Sequence, residues 1–318
     1  MALGIIIRQI AVLAILVLIG LTASRAKVIS SASKDLLAKI IFYVTLPSLL
    51  FTNFSKINLT PELLSGSLQA LLLSLLVLLF MLFMGWLISK LAGMESGPGS
   101  IFRLHSMLGN IIYLGLPLIS TQFGKEGLLY GSIFILVSNI LTWTVGVAVV
   151  TPGNEFSLRG NLRRIFNINT IAIVSGFILF LLSIKLPSII LDSVGALGST
   201  TSYLSMIYIG AVLYYADGRK MLRNKNVYLL SVSRLLLVPF ILIGIFTLLN
   251  YLFPSMLNRN VLSVIVMEAA MPCMVNVVIM VNILGRDDDT PTANVFVSTV
   301  LSVITIPLIL MSLKLINW

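Results

Sequence analysis

At 318 residues, with 58% hydrophobic and 10% charged side chains and a mean hydropathy of +1.07, the chain has too little polar surface for a soluble domain and reads as a polytopic helical membrane protein. Its net charge of +10 does not imply nucleic acid, because Lys and Arg gather in alternate loops as membrane topology requires. A single cysteine, Cys273, excludes an intrachain disulfide framework and a cysteine-based metal site.

A helical span needs about 20 apolar residues to cross roughly 30 Å of hydrocarbon, and turn and charge clusters divide the sequence into ten such segments. The first, 4–23, is interrupted by Arg8 and runs through Ala23-Ser24-Arg25 into a basic loop, so it is expected to be retained rather than cleaved as a signal peptide. The second, 36–53, carries Phe42-Tyr43-Val44-Thr45-Leu46-Pro47-Ser48-Leu49-Leu50-Phe51, and the third, 67–90, has no charge from Ala70 to Leu87. The fourth, 101–122, is broken by Leu108-Gly109-Asn110 and followed by Ile111-Ile112-Tyr113-Leu114-Gly115-Leu116-Pro117. His105 lies about 6 Å into this span and is expected at the interface. The fifth, 127–150, contains Asn139, and the polar stretch 151–167 separates it from the sixth, 168–186, and seventh, 199–215. The eighth, 227–251, contains Arg234 and Pro239. The ninth, 261–285, contains Glu268 and a second break, Ala270-Met271-Pro272-Cys273-Met274-Val275-Asn276; the tenth, 291–316, contains Thr299.

Sorting the basic residues by loop gives fourteen on one side, among them Arg25, Arg159, Arg163, Arg164 and Arg219, against six on the side of both termini. By the positive-inside rule both termini face outward, in a bacterial inner membrane or plasma membrane. The stretch 151–167 then becomes a cytoplasmic connection between two five-span halves, 1–150 and 168–318, and an odd number of spans per half forces opposite orientations. Val137-Ser138-Asn139-Ile140-Leu141-Thr142 resembles Val297-Ser298-Thr299-Val300-Leu301-Ser302, and Asn110-Ile111-Ile112 resembles Asn276-Val277-Val278. Together these features predict an inverted repeat.

The two breaks carry the functional expectation. Gly, Pro and Asn inside a span leave backbone N–H and C=O groups unpaired, and hydrocarbon cannot satisfy them. Counted from opposite faces, Asn110 lies about 14 Å and Pro272 about 15 Å deep, so both approach the midplane. Half-helices restarting after each break would point their free N–H ends at the centre and favour a carboxylate or another small anion. Gly109, Pro117 and Pro272 are therefore the expected helix-break residues, with Asn110, Tyr113, Pro272, Cys273 and Asn276 as candidate substrate contacts. The plainer alternative makes Pro117 and Pro272 kinks in packed helices, with Asn110 and Asn276 bonding across them.

Glu268 is the one acidic residue well inside a span and Arg234 the one basic residue. Glu268, one turn before Pro272, is a candidate for coupling to H+ or Na+, the alternative being that it holds the broken helix through hydrogen bonds. Arg234 either compensates substrate charge or snorkels toward the cytoplasm, which is the preferred reading. No paired carboxylates, Ser–His pair or metal cluster at membrane depth suggests an enzyme, and Asp287-Asp288-Asp289 reads as a solvated turn. No cofactor or metal is expected. An ion channel or membrane-embedded sensor is the alternative to a transporter, since broken helices also line pores.

The second-span run Phe42 to Phe51, Gly109-Asn110 with Gly115-Leu116-Pro117, Arg234 with Pro239, and Glu268-Ala269-Ala270-Met271-Pro272 resemble, in order and spacing, the auxin efflux carrier family of plant auxin exporters and bacterial organic-acid permeases. The resemblance implies ten helices in two inverted repeats with helices 4 and 9 broken and crossing at the substrate. It implies a scaffold of helices 1, 2, 6 and 7, homodimeric through helices 2 and 7, and an elevator-type transport domain of helices 3–5 and 8–10. Carried over by position, Asn110, Pro272 and Asn276 line the site, with Asn139 and Thr299 nearby, and the partners are a small organic anion and membrane lipid. Gly109 stands where plant members commonly have proline, the central connection is short, and the third span lacks the charged support residues of plant auxin sites. A carboxylate or dicarboxylate such as malate or malonate is accordingly expected rather than auxin.

Overall fold

In the computed structural model the described residues are 2–55, 60–150, 166–182, 184–215, 224–254, 257–274, 277, 281 and 290–316, and they are helical apart from turns and one isolated β-bridge. Asn276, the Asp287-Asp288-Asp289 run and residues 151–165 of the connection lie outside them. The helices are α1 (Ala2–Arg25), α2 (Ser31–Ile40), α3 (Leu46–Ser55), α4 (Pro61–Leu91), α5 (Ser96–Met107), α6 (Leu116–Leu141), α7 (Val147–Val150), α8 (Ile168–Leu181), α9 (Ser188–Tyr215), α10 (Lys225–Val232), α11 (Val238–Leu252), α12 (Arg259–Ala269) and α13 (Thr290–Ile316).

Six stretches among the described residues are long and apolar enough to cross a membrane: Ser31–Thr52, Pro61–Leu91, Ile111–Val150, Ser188–Tyr215, Lys225–Leu252 and Thr290–Ile316. Ala14–Arg25 and Ile168–Leu181 are shorter apolar helices. The expected spans 101–122 and 261–285 begin as α5 and α12, which stop after 12 and 11 residues at the breaks. The 40 residues of Ile111–Val150 would measure about 60 Å as one rod, twice the hydrocarbon thickness. Gly124, at φ 61° and ψ −146°, turns the chain there, a conformation a side chain would oppose.

Three of the four π-helical turns among the described residues precede a proline, the exception being Thr142–Gly146. The three cover Ile41–Thr45, Ile111–Gly115 and Ser233–Leu237, and each is followed two residues on by Pro47, Pro117 or Pro239. Proline has no N–H and its ring collides with the carbonyl four residues back; widening the preceding turn to the i→i+5 spacing relieves that collision without ending the helix. Pro117 accordingly sits in the first turn of α6 and continues a helix, while the interruption falls upstream at Leu108–Asn110. This corrects its expected place as a break residue. Helix starts are set by side-chain caps: Asn167, Asn224 and Asn258 each accept N–H bonds from the first turn of α8, α10 and α12.

Backbone contacts divide the chain into two compact units, each drawn from both sequence halves. The first contains Met1–Ser67, Ile112–Leu136 and Phe166–Ala216. In it α9 packs on α1 and α3, and α3 packs on α8. A Cβ at Gly20 would overlap the Ile207 carbonyl and one at Gly210 the Val17 carbonyl, so the α1–α9 crossing depends on two residues without side chains. Tyr215 Oη donates to Ile29 O at 2.7 Å, and with the Gly20–Ile207 approach this makes α1 and α9 run the same way. The second unit contains Leu68–Ile111, Val137–Ile165 and Asp217–Trp318. Within it α13 packs on α10, on the Ser233–Leu237 turn, and on α5, α11 and α12.

Replacing Gly210 by Val forces a side chain into the Val17 and Leu21 backbone, where overpacking costs about 1–3 kcal/mol. In thermal unfolding of the detergent-solubilised protein, Gly210→Val is expected to lower Tm by several degrees. Gly244→Ala, on an open face of α11, is the control and is expected to leave Tm within a degree or two.

Candidate functional site

The two interrupted stretches meet within the second unit. Gly109 and Cys273 form an antiparallel bridge: Asn110 N donates to Pro272 O at 2.7 Å, and Met274 N donates to Leu108 O at 3.3 Å. Each break thus supplies the partner that the other lost by leaving the helix, as a water-free setting demands. Cys273 N donates to Ser298 Oγ at 2.9 Å, which ties the bridge to α13. Gly109 and Pro272 stand at the interruptions as expected, and Asn110 is brought beside them, 2% exposed.

The helix ends that lead into the breaks carry unpaired carbonyls, and Arg234 answers them. From the π-helical turn of the eighth expected span, its Nε donates to Met271 O at 2.7 Å, and its Nη1 donates to His105 O at 2.7 Å and Ser106 O at 2.5 Å. A guanidinium on the C-terminal carbonyls of α5 and on the backbone just past α12 meets the negative end of each dipole with charge-assisted bonds. Arg234 is 1% exposed, so the sequence expectation that it snorkels toward water is corrected: the carbonyls of two other segments hold it inside the protein.

His105 is corrected in the same way. It is fully buried, not interfacial, because α5 is covered by α7, α10 and α13. Asn294 Nδ2, which can only donate, lies 3.1 Å from Nδ1, so the ring proton belongs on Nε2, which lies 3.3 Å from Met274 O. Asn294 O in turn accepts from Ser298 Oγ at 2.6 Å. One polar chain on α13 therefore holds both sides of the bridge.

Glu268 is fully buried in α12, and neither carboxyl oxygen has a hydrogen-bond partner among the described residues. The alternative in which it holds the broken helix by hydrogen bonds has no counterpart there. Cys273 turns its side chain into an apolar cluster with Phe102, Leu230 and Val295. Thr299 is buried and Asn139 half-buried, both in the second unit. Tyr113 belongs to the first unit, where its ring packs against Tyr208 at a centroid separation of 5.2 Å. Asn276 lies outside the described residues.

Ser298, Asn294 and His105 were not singled out as site residues from sequence. A signal existed: Asn294, Ser298 and Ser302 recur every four residues in the tenth span, which sets them on one helical face.

A family model described as membrane transport protein matches residues 5–161 and 156–310. The chain belongs to that family, the auxin efflux carriers. Within the carrier family it is similar to an uncharacterized transporter of Methanocaldococcus jannaschii, 29% identical over 308 residues, covering 92% of this chain and 94% of the relative. A second uncharacterized transporter, from Methanothermobacter thermautotrophicus, is 26% identical over 298 residues with the same coverage of both chains. The protein is thus an integral multi-pass membrane transporter.

Ser298→Ala removes the acceptor from the buried Cys273 N–H, and an orphaned buried donor costs about 1–3 kcal/mol. Thermal unfolding is expected to show a Tm lowered by several degrees for Ser298→Ala. The expected change for Ser312→Ala, whose hydroxyl bonds only its own helix on an exposed face, is close to zero.

Proposed function

We propose that this carrier moves a small organic anion, a carboxylate or dicarboxylate of the malate or malonate kind rather than an aromatic acid of the auxin kind. The crossover of the two interrupted stretches is its binding site. The observation that carries the reading is the Arg234 guanidinium on the carbonyl ends at both breaks. Neutralising the negative ends of α5 and α12 with a cation removes the carbonyl dipoles that would repel an anion at the crossover. Asn110, Pro272 and Asn276 are the proposed lining, with Cys273, Asn139 and Thr299 of the same unit around it. For Cys273 the contact would be through backbone, since its side chain faces the apolar cluster.

The mechanism we propose is an elevator built from ten helices in two inverted repeats, 1–150 and 168–318. Support comes from helix direction: α9 runs with α1 and against α2–α3, given Lys34 beside Tyr215 and Leu49 beside Gly198, and an inverted repeat sets its second helix against its seventh. Further support comes from membership of the compact units. The proposed scaffold helices 1, 2, 6 and 7 all fall in the first unit, and the proposed transport helices fall largely in the second, with Ile112–Leu136 the exception. A homodimer through helices 2 and 7 completes the proposal.

Glu268 is the proposed coupling group. A carboxyl group buried without a partner is costly as an anion and is relieved by H+ or by a cation such as Na+. The test is a thermal-shift series on the purified protein with malonate, malate, keto acids and indole-3-acetate, with and without sodium and at several pH values. A ligand at about 100 times its Kd adds about 2.7 kcal/mol of stability, so a dicarboxylate is expected to raise Tm by several degrees, and Glu268→Gln to erase its pH or sodium dependence. Stabilisation by none of the acids contradicts the substrate class; an unchanged dependence in Glu268→Gln removes the coupling role.

A further inference from the structure

Arg234 reaches both interrupted stretches at once, and the reason it can do so lies in the residue facing it. A Cβ built at Gly109 would overlap Arg234 Nη2, so the guanidinium occupies the place where any other residue at 109 would put its side chain. The α-carbon of Gly109 is at the centre of the bridge, opposite Cys273. Arg234 Nε and Nη1 are committed to Met271, His105 and Ser106 carbonyls, which flank the bridge on both sides. The planar fork therefore fixes three carbonyls of two separate segments in one rigid arrangement, which a point-charge ammonium cannot reproduce.

We propose that Arg234 and Gly109 act as a matched pair, in which the guanidinium seated on the bare face of Gly109 holds the two breaks in register and so positions the transport site. Arg234 is a positioning residue: it sets where Asn110 and the peptide groups at Pro272 stand. The proposal rests on the transport reading only for its consequence in substrate binding. Closure of the bridge itself can be measured without any substrate.

The reporter is already in the chain. Cys273 is the single cysteine, fully buried, and its thiol packs on Phe102, Leu230 and Val295. A thiol reagent reaches it only when the bridge opens, so the rate of maleimide labelling reports the open fraction. Wild type, Arg234→Gln, Arg234→Lys, Gly109→Ala and Gly109→Ala/Arg234→Lys would be labelled in proteoliposomes. A Cys273→Ser background carrying Ser74→Cys, at a buried position of α4, serves as the control.

Loss of charge-assisted bonds at a buried site is expected to raise Cys273 labelling about tenfold or more in Arg234→Gln. Arg234→Lys falls between that variant and wild type, and Gly109→Ala also labels faster, because the new methyl group displaces the guanidinium. The decisive outcome is non-additivity: the double variant labels no faster than Arg234→Lys alone, since lysine lacks the Nη2 that the methyl group meets. The control cysteine keeps its slow rate throughout.

Wild-type labelling in Arg234→Gln, equal acceleration of the control cysteine, or multiplying effects of Gly109→Ala and Arg234→Lys would each overturn the pairing. If Arg234→Gln does not fold, the Gly109→Ala and Arg234→Lys cycle decides the question on its own. Failure of the anion reading appears separately, as absence of carboxylate-dependent stabilisation while this labelling pattern stands.

Discussion

Everything at the centre of this molecule follows from one constraint: two helices leave their hydrogen-bonding pattern in a setting where water cannot replace it. The bonds from Asn110 N to Pro272 O and from Met274 N to Leu108 O meet that constraint by pairing one broken backbone with the other. The pairing has consequences. It leaves carbonyls at the ends of α5 and past α12 that need a donor, and Arg234 supplies three bonds to them. It leaves Cys273 N and Met274 O, which α13 and His105 complete through Ser298 and Asn294. Removing any of these partners leaves a polar group stranded, which explains why so many polar side chains gather in an otherwise apolar unit.

The charge distribution has the same origin. The described part of the second unit buries one guanidinium and one carboxyl group, Arg234 and Glu268, and they are not paired as a salt bridge. Arg234 has carbonyl dipoles as its counter-charge, so it can sit at the crossover without a carboxylate beside it. Glu268 has no hydrogen-bond partner among the described residues. A cation balanced by helix ends and a buried acid without a described partner thus stand at the second break, and the proposed coupling role of Glu268 depends on that difference.

Much of this was legible in the sequence, for identifiable reasons. Most helix positions among the described residues followed from apolar run length, although α9 begins at Ser188 and not near the expected 199, and the breaks followed from Gly109-Asn110 and Met271-Pro272, because backbone chemistry is local. Pro117 was misplaced as a break because a π-helical turn absorbs a proline within a continuing helix, and the same pattern at Pro47 and Pro239 shows that this chain uses the device repeatedly. Arg234 and His105 were read as reaching toward the surface because distance along a helix gives depth and says nothing of what covers a side chain laterally. The carbonyls that bind Arg234 come from residues 37, 128 and 129 positions away in the chain, a distance no local pattern records. Asn294 and Ser298 were visible as a periodic stripe, but their role depends on which neighbour the stripe faces.

Carriage of an anion bound at the crossover, as proposed above, is measurable by counterflow in proteoliposomes. Vesicles loaded with unlabelled dicarboxylate and diluted into trace labelled dicarboxylate should show transient, saturable accumulation, and Asn110→Ala should reduce its initial rate about tenfold or more while the protein remains folded. Uptake that never saturates, single-channel currents in planar bilayers, or full counterflow in Asn110→Ala would contradict the account.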